Sequence, residues 1–231
     1  MEKIILLVHG YKRPKKHDFD HFEEYAKERV SIPLKKIYWF DNFDKKTMKT
    51  KAFIENFNLE LKKYHDKDIT IISYSMGASL AIQQAYLFDN VIQIIAVYPT
   101  FFVYYFDWIK QLKNVYKKRK KIKKQLSKER YKRLLLMKKS GLSEKYPIRL
   151  TLQINSLRKK LGRKKIKATG KQFEIFLNNK DEINNTNKSF KKIKKQLSER
   201  NNVNFHWIND SHYSTLDRNQ NHIFDKIIDL I

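Results

Sequence analysis

The chain has 231 residues, 41% hydrophobic and 13% aromatic, enough apolar side chain for one folded domain despite a charged content of 32%. It has no cysteine, which excludes disulfides, thiolate metal sites and a cysteine nucleophile. The formal net charge of +26 is unevenly spread: 15 Lys or Arg face Glu129 alone between Lys110 and Lys139, and Arg158 to Lys167 adds 7 with no acid.

In chain order, the apolar run Ile4–His9 predicts a buried strand. It is too short for a signal-peptide core with a cleavage site and too short to span a bilayer, so the expected location is cytoplasmic, at most peripheral to a membrane. A helical pattern over Asp20–Val30, a strand at Lys36–Phe40 and a helix over Thr47–Tyr64 follow. Next come a strand at Asp68–Tyr74, a helix over Met76–Phe88 and a strand at Val91–Tyr98. Val91 to Ile109 is apolar as a whole, but Gln93, Pro99 and Asp107 argue against a membrane-spanning helix there.

The alternation then breaks from Thr100 to Gly170. Phe101, Phe102, Tyr104, Tyr105, Phe106 and Trp108 open that stretch, and very basic, helix-prone sequence continues it. It predicts a helical cap inserted between the fourth and fifth strands, its apolar side over the carboxyl ends of the strands. A strand at Gln172–Leu177, a helix over Asn185–Leu197, a strand at Val203–Ile208 and a helix over Gln220–Ile231 complete the chain. Strands alternating with helices, without hairpin signals, predict an α/β domain spanning 1–231, with a mostly parallel, doubly wound sheet and 100–170 as its basic cap.

Parallel sheets of this kind bind ligands at the carboxyl ends of their strands. After the third predicted strand stands Ser73-Tyr74-Ser75-Met76-Gly77-Ala78, a strand-turn-helix in which Ser73, Gly77 and Ala78 are small enough for strand and helix to approach. There Ser75 is a candidate nucleophile; read alone, it also fits a helix N-cap. After the fifth strand comes Asp181, a candidate acid or an ordinary turn residue, and after the sixth comes His212, a candidate base. His206 lies inside a strand and reads as a pleat residue, and His17, His21, His65 and His222 read as surface residues. Ser75, Asp181 and His212 follow successive strands in nucleophile, acid, base order. After the first strand, His9-Gly10-Tyr11 places the Tyr11 amide beside that of Met76 as a candidate oxyanion hole, with His9 supporting the loop.

With Leu6-Leu7-Val8-His9-Gly10, Tyr74-Ser75-Met76-Gly77, Phe176 to Asp181 and Ser211 to Asp217, the sequence resembles the small carboxylesterases and monoacylglycerol lipases of the α/β-hydrolase superfamily. The resemblance covers nearly the whole chain. It implies triad roles for Ser75, Asp181 and His212 and oxyanion roles for Tyr11 and Met76. The departures are Ser73 in place of the usual Gly, Asp210 where a Gly often precedes the Ser-His pair, and the basic cap.

The chemistry expected is ester hydrolysis through an acyl-enzyme, needing no metal or organic cofactor, on a small acyl ester, with a medium acyl chain lying against an apolar cap. The same aromatics also serve simple packing of cap on body. For the basic cap, a solvated helix surface, an anionic membrane surface, and an acidic substrate or acyl carrier (the last implying a thioesterase) are open readings. A non-catalytic nucleic-acid or anionic-surface binding protein is the reading of a different class, as is a silent scaffold; the absence of a recognised nucleic-acid motif counts against a nucleic-acid partner. Oligomeric state is left open.

Overall fold

A computed structural model of the chain describes residues 1–11, 18–39, 49–102, 147–165, 170–181, 184–197, 202–210, 212 and 221–231. In order, these form β1 (Lys3–Val8), α1 (Asp20–Ala26), β2 (Leu34–Ile37), α2 (Thr50–Lys62), β3 (Asp68–Tyr74) and α3 (Ser75–Gln84). Then follow β4 (Val91–Val97), α4 (Pro147–Arg163), β5 (Gln172–Asn178), α5 (Thr186–Leu197), β6 (Asn202–Ile208) and α6 (Asn221–Ile228).

The six strands make one sheet in the order β2-β1-β3-β4-β5-β6, and every neighbouring pair is parallel. Strands β1, β3, β4 and β5 are buried nearly throughout because both their faces are covered. One face meets α1 and α6 through Ile5, Leu7, Phe22, Ala26, Ile223 and Phe224. The other meets α2, α3, α4 and α5 through Leu6, Phe57, Leu80, Leu157, Ile175 and Ile193. The buried residues of α2 and α5 recur at three- and four-residue spacing, as Phe53, Phe57 and Leu61 do in α2, whereas α3 is buried along its whole length.

Several expected boundaries move. β2 begins at Leu34 rather than Lys36, because Leu34 pairs with Ile5 and the Pro33 carbonyl accepts the Ile5 N–H at 2.9 Å. Trp39, expected in that strand, instead follows it, buried, its indole donating to the His9 carbonyl at 2.8 Å. Helix α1 ends at Ala26, where the Arg29 and Val30 amides both turn back to the Ala26 carbonyl. Of the expected cap, residues 103–146 and 166–169 lie outside the described residues. Within its other part, α4 lays Ile154, Leu157 and Leu161 into the core cluster shared with α2, α3 and the sheet. Burial of each such side chain contributes about 1.5–3 kcal/mol. Val91–Val97, within the apolar run, is a strand, and no helix among the described residues is long and apolar enough to cross a membrane.

Candidate active site

Strand β3 passes into α3 at Ser75 without an intervening loop, and Ser75 takes a φ of +53°. A non-glycine residue holds that left-handed conformation at a cost of about 1–3 kcal/mol, so the surroundings must enforce it. They do so by close approach. A Cβ on Gly77 would collide with the His9 carbonyl and stand 3.0 Å from Val8 Cγ1, so only glycine lets α3 start against the end of β1. A Cβ on Gly10 would stand 3.0 Å from Ser75 Cβ and 3.1 Å from Asp18 Oδ2. Gly10 therefore answers a need for space. Ser73 fits the other small position because its buried hydroxyl donates to the Ile95 carbonyl at 3.2 Å.

Three distant segments converge on this turn. Ser75 Oγ lies 2.9 Å from His212 Nε2, and His212 Nδ1 lies 2.8 Å from Asp181 Oδ2. All three residues are buried. A carboxylate oxygen only accepts, so Asp181 places the imidazole proton on Nδ1 and leaves a lone pair at Nε2 facing Ser75. The other carboxylate oxygen, Oδ1, accepts the Asn184 N–H at 2.7 Å, which holds the acid's plane. The imidazole lies near the rings of Tyr74 and Tyr98, with centroids 5.4 and 6.0 Å away, and the Tyr74 hydroxyl donates to the His212 carbonyl. Asn178 Oδ1 accepts the Lys180 N–H at 2.9 Å and the Asp210 N–H at 3.1 Å, tying the Asp181 and His212 loops together. The Ser75 hydroxyl thus meets His212 and not the free amides of α3, which removes the N-cap reading.

Met76 is buried in the first turn of α3, where backbone N–H groups have no partner within the helix. Tyr11 follows Gly10 at the carboxyl end of β1, half-buried against the core. The neighbouring Gly10 N–H is already given to Asp18 Oδ2 at 2.5 Å. His9 supports its loop: Nδ1 donates to the Gly10 carbonyl at 2.7 Å and the ring stacks on Trp39. His206 sits in β6 against Glu174 at 2.6 Å, away from Ser75 in register. Among the described residues no group of His, Asp and Glu is arranged to hold a metal ion.

Sequence reasoning missed Thr100 and Asn184. Thr100 is buried, its Oγ1 3.1 Å from Ser75 Oγ and its N–H donating to the Ser75 carbonyl at 3.2 Å. It follows β4, so the rule that residues just after strands carry function would have found it had it been applied to that strand too. Asn184 is buried and donates through Nδ2 to the Pro99 carbonyl at 2.9 Å. Its bonds to Asp181 and Ser189 are local, but the one that joins two loops, to the Pro99 carbonyl, leaves no local signal.

No protein-family model and no curated protein matches the sequence. Solved structures do match in shape. An esterase from Exiguobacterium antarcticum superposes with a TM-score of 0.67 at 11% identity, over 100% of this chain and 91% of that one. A meta-cleavage product hydrolase from Pseudomonas fluorescens gives 0.66 at 10% identity, over 99% and 90%. An esterase from Pyrococcus furiosus gives 0.62 at 14% identity, over 99% and 80%. With its parallel sheet, its helices on both faces and these neighbours, the chain has the α/β-hydrolase fold.

Proposed function

We propose that this protein is a serine hydrolase that cleaves carboxylic esters through an acyl-enzyme on Ser75. The observation that carries the reading is the buried hydrogen-bonded series Ser75–His212–Asp181, built on a left-handed residue at a strand-helix turn. In the cycle, Ser75 Oγ attacks the ester carbonyl while its proton passes to His212 Nε2, and Asp181 stabilises the resulting imidazolium. The imidazolium gives that proton to the leaving alcohol. His212 then takes a proton from water, which attacks the acyl-enzyme, and the proton returns to Ser75 as the acid departs. The Tyr11 and Met76 amides serve as oxyanion donors, each worth ~3 kcal/mol in comparable enzymes. No step requires a cofactor. Esterases among the structural neighbours support the class. Buried Phe101 and half-buried Phe102 lie beside the Thr100 loop and suit the acyl portion of a small ester.

Purified protein should react with a fluorophosphonate and turn over p-nitrophenyl esters, and Ser75→Ala should lose both, with turnover down about 10⁴-fold or more. Running acyl thioesters of the same chain lengths beside the esters separates an esterase from a thioesterase. A folded wild type that neither labels nor turns over would sink the proposal.

One further observation favours a partner. Residues 147–165 and 186–197 contain no Asp or Glu, and the Lys192 ammonium donates to the Lys164 carbonyl at 3.0 Å, so α4 and α5 adjoin. Lys159, Lys160, Arg163, Lys188, Lys191 and Lys195 are exposed on these two helices. Such a face suits an anionic membrane surface, where each Lys or Arg contributes about 1 kcal/mol. Co-sedimentation with vesicles containing phosphatidylglycerol, lost in high salt and absent with phosphatidylcholine alone, is the expected result; equal binding to both vesicles contradicts it.

A further inference from the structure

Ser75 has a second oxygen neighbour that the triad does not use. Thr100 Oγ1 stands 3.1 Å from Ser75 Oγ and 3.3 Å from the Tyr98 carbonyl. Its placement is enforced from several sides. Tyr98 takes a φ of +51°, so the only two non-glycine residues with positive φ among those described, Ser75 and Tyr98, flank this contact. The Tyr98 N–H donates to the Phe176 carbonyl at 3.0 Å, and the Thr100 N–H to the Ser75 carbonyl at 3.2 Å. Asn184, whose N–H orients Asp181, also grips the Pro99 carbonyl, and the Asn185 N–H donates to the Phe102 carbonyl at 2.5 Å. The loop carrying the acid therefore positions the loop carrying Thr100.

Proton counting decides what the hydroxyl does. Ser75 has one proton, and in the reactive arrangement it points at the Nε2 lone pair of His212. Ser75 Oγ can then only accept from Thr100, whose single proton has two acceptors in reach, Ser75 Oγ at 3.1 Å and the Tyr98 carbonyl at 3.3 Å. When His212 is cationic, Nε2–H donates to Ser75 instead. The Ser75 proton turns to Thr100 Oγ1, and the Thr100 proton turns to the Tyr98 carbonyl, so every hydroxyl keeps an acceptor.

Resting on the serine-hydrolase reading, we infer that Thr100 is a further catalytic residue, a hydroxyl donor that stabilises charge on Ser75 Oγ as it attacks and as it leaves. In acylation the Ser75 O–H bond breaks, its proton goes to Nε2, and the Oγ electron pair forms the bond to carbon. In deacylation that bond breaks, the pair returns to Oγ, and Nε2 returns the proton. Thr100 keeps its own proton throughout and donates to Oγ while that oxygen carries partial charge. Both half-reactions benefit, and ground-state ester binding does not.

The test compares Thr100→Val, which removes the hydroxyl with little change of shape, with Thr100→Ser, which keeps it. The rate of fluorophosphonate labelling, and kcat and KM on p-nitrophenyl esters, are measured beside the thermal midpoint. Hydrogen bonds to charged groups predict that Thr100→Val lowers labelling rate and kcat about 10- to 100-fold, with KM nearly unchanged. Thr100→Ser should recover most of the loss. If Thr100→Val does not fold, Thr100→Ala takes its place with the same readouts. Labelling of Thr100→Val at the wild-type rate overturns the role while leaving the Ser75 reading intact. Equal losses in the Val and Ser variants, with a lowered midpoint, also overturn it, because they mark a packing role. A wild type that does not label removes both proposals together.

Discussion

The two faces of the sheet bury comparable cores and carry helices of different charge. On one, α1, α6 and the residues that follow them expose Glu24, Glu28, Asp225 and Asp229 beside Lys27, Arg29 and Lys226, and Tyr25 Oη donates to Asp225 Oδ1 at 2.5 Å across the two helices. Their contact is aromatic, with Phe22 and Tyr25 packed on Phe224 at 5.4 and 5.6 Å. On the other, α4 and α5 bear no acid, yet Leu157, Leu161, Ile193 and Leu197 are as buried as anything opposite. Packing sees only the apolar stripe of each helix, so the outer surface is free to carry charge for another purpose. Among the described residues, α4 and α5 thus carry only basic charge while α1, α6 and the residues that follow them carry both signs.

That equality of cores is open to test. Phe224→Ala and Leu157→Ala should each lose about 3–4 kcal/mol, read from denaturant midpoints, since both residues are fully buried. A loss below about 1 kcal/mol for Leu157→Ala would break the comparison by showing that α4 docks loosely.

A smaller effect is expected on the α6 side of the sheet, where buried Glu174 accepts hydrogen bonds from Gln172, Asn204 and His206 at 3.0, 2.9 and 2.6 Å. Burial opposes its charge, but those donors outweigh burial and hold its pKa below the ordinary carboxylate value. A carboxyl with a depressed folded pKa stabilises the fold above its unfolded pKa, and that stability is lost as pH falls through the folded pKa. Glu174→Gln should therefore cost about 1–3 kcal/mol at neutral pH. Its thermal midpoint should converge on the wild type's as pH drops below about 4. A gap that stays constant with pH would mean that Glu174 acts by shape alone.

The smallest change in stability belongs to the basic face. Lys160→Glu with Lys191→Glu should shift stability by no more than about 0.5 kcal/mol, because both side chains are exposed and salt screens them. The same double variant should sharply weaken binding to anionic vesicles. Unchanged vesicle binding would mean that the α4–α5 face is only a solvated surface.

Much of this architecture was legible from local pattern. Each of the six strands was placed to within a few residues, because apolar runs bounded by polar turns reflect burial on both sheet faces. The largest shift came at β2, the short edge strand, where only Ile37 is fully buried and the pattern is correspondingly weak. Helix α4 lies within the stretch expected to be a helical cap, and its apolar residues Ile154, Leu157 and Leu161 recur at three- and four-residue spacing. Ser75, Asp181 and His212 stood out because each directly follows a strand, and the fold brings them within hydrogen-bond reach.

By itself, the amino-acid sequence determined the parallel α/β class, the strand-turn-helix at Ser75 and the uneven charge, since all three rest on residues adjacent in the chain or on their periodicity. Only the tertiary structure decided that Gly77 must lack a side chain against His9, that Thr100 meets Ser75, and that Asn184 joins the Asp181 loop to the Pro99 loop. Those contacts join residues up to 85 positions apart. Their geometry follows from strand register and helix docking, which no stretch of sequence encodes locally.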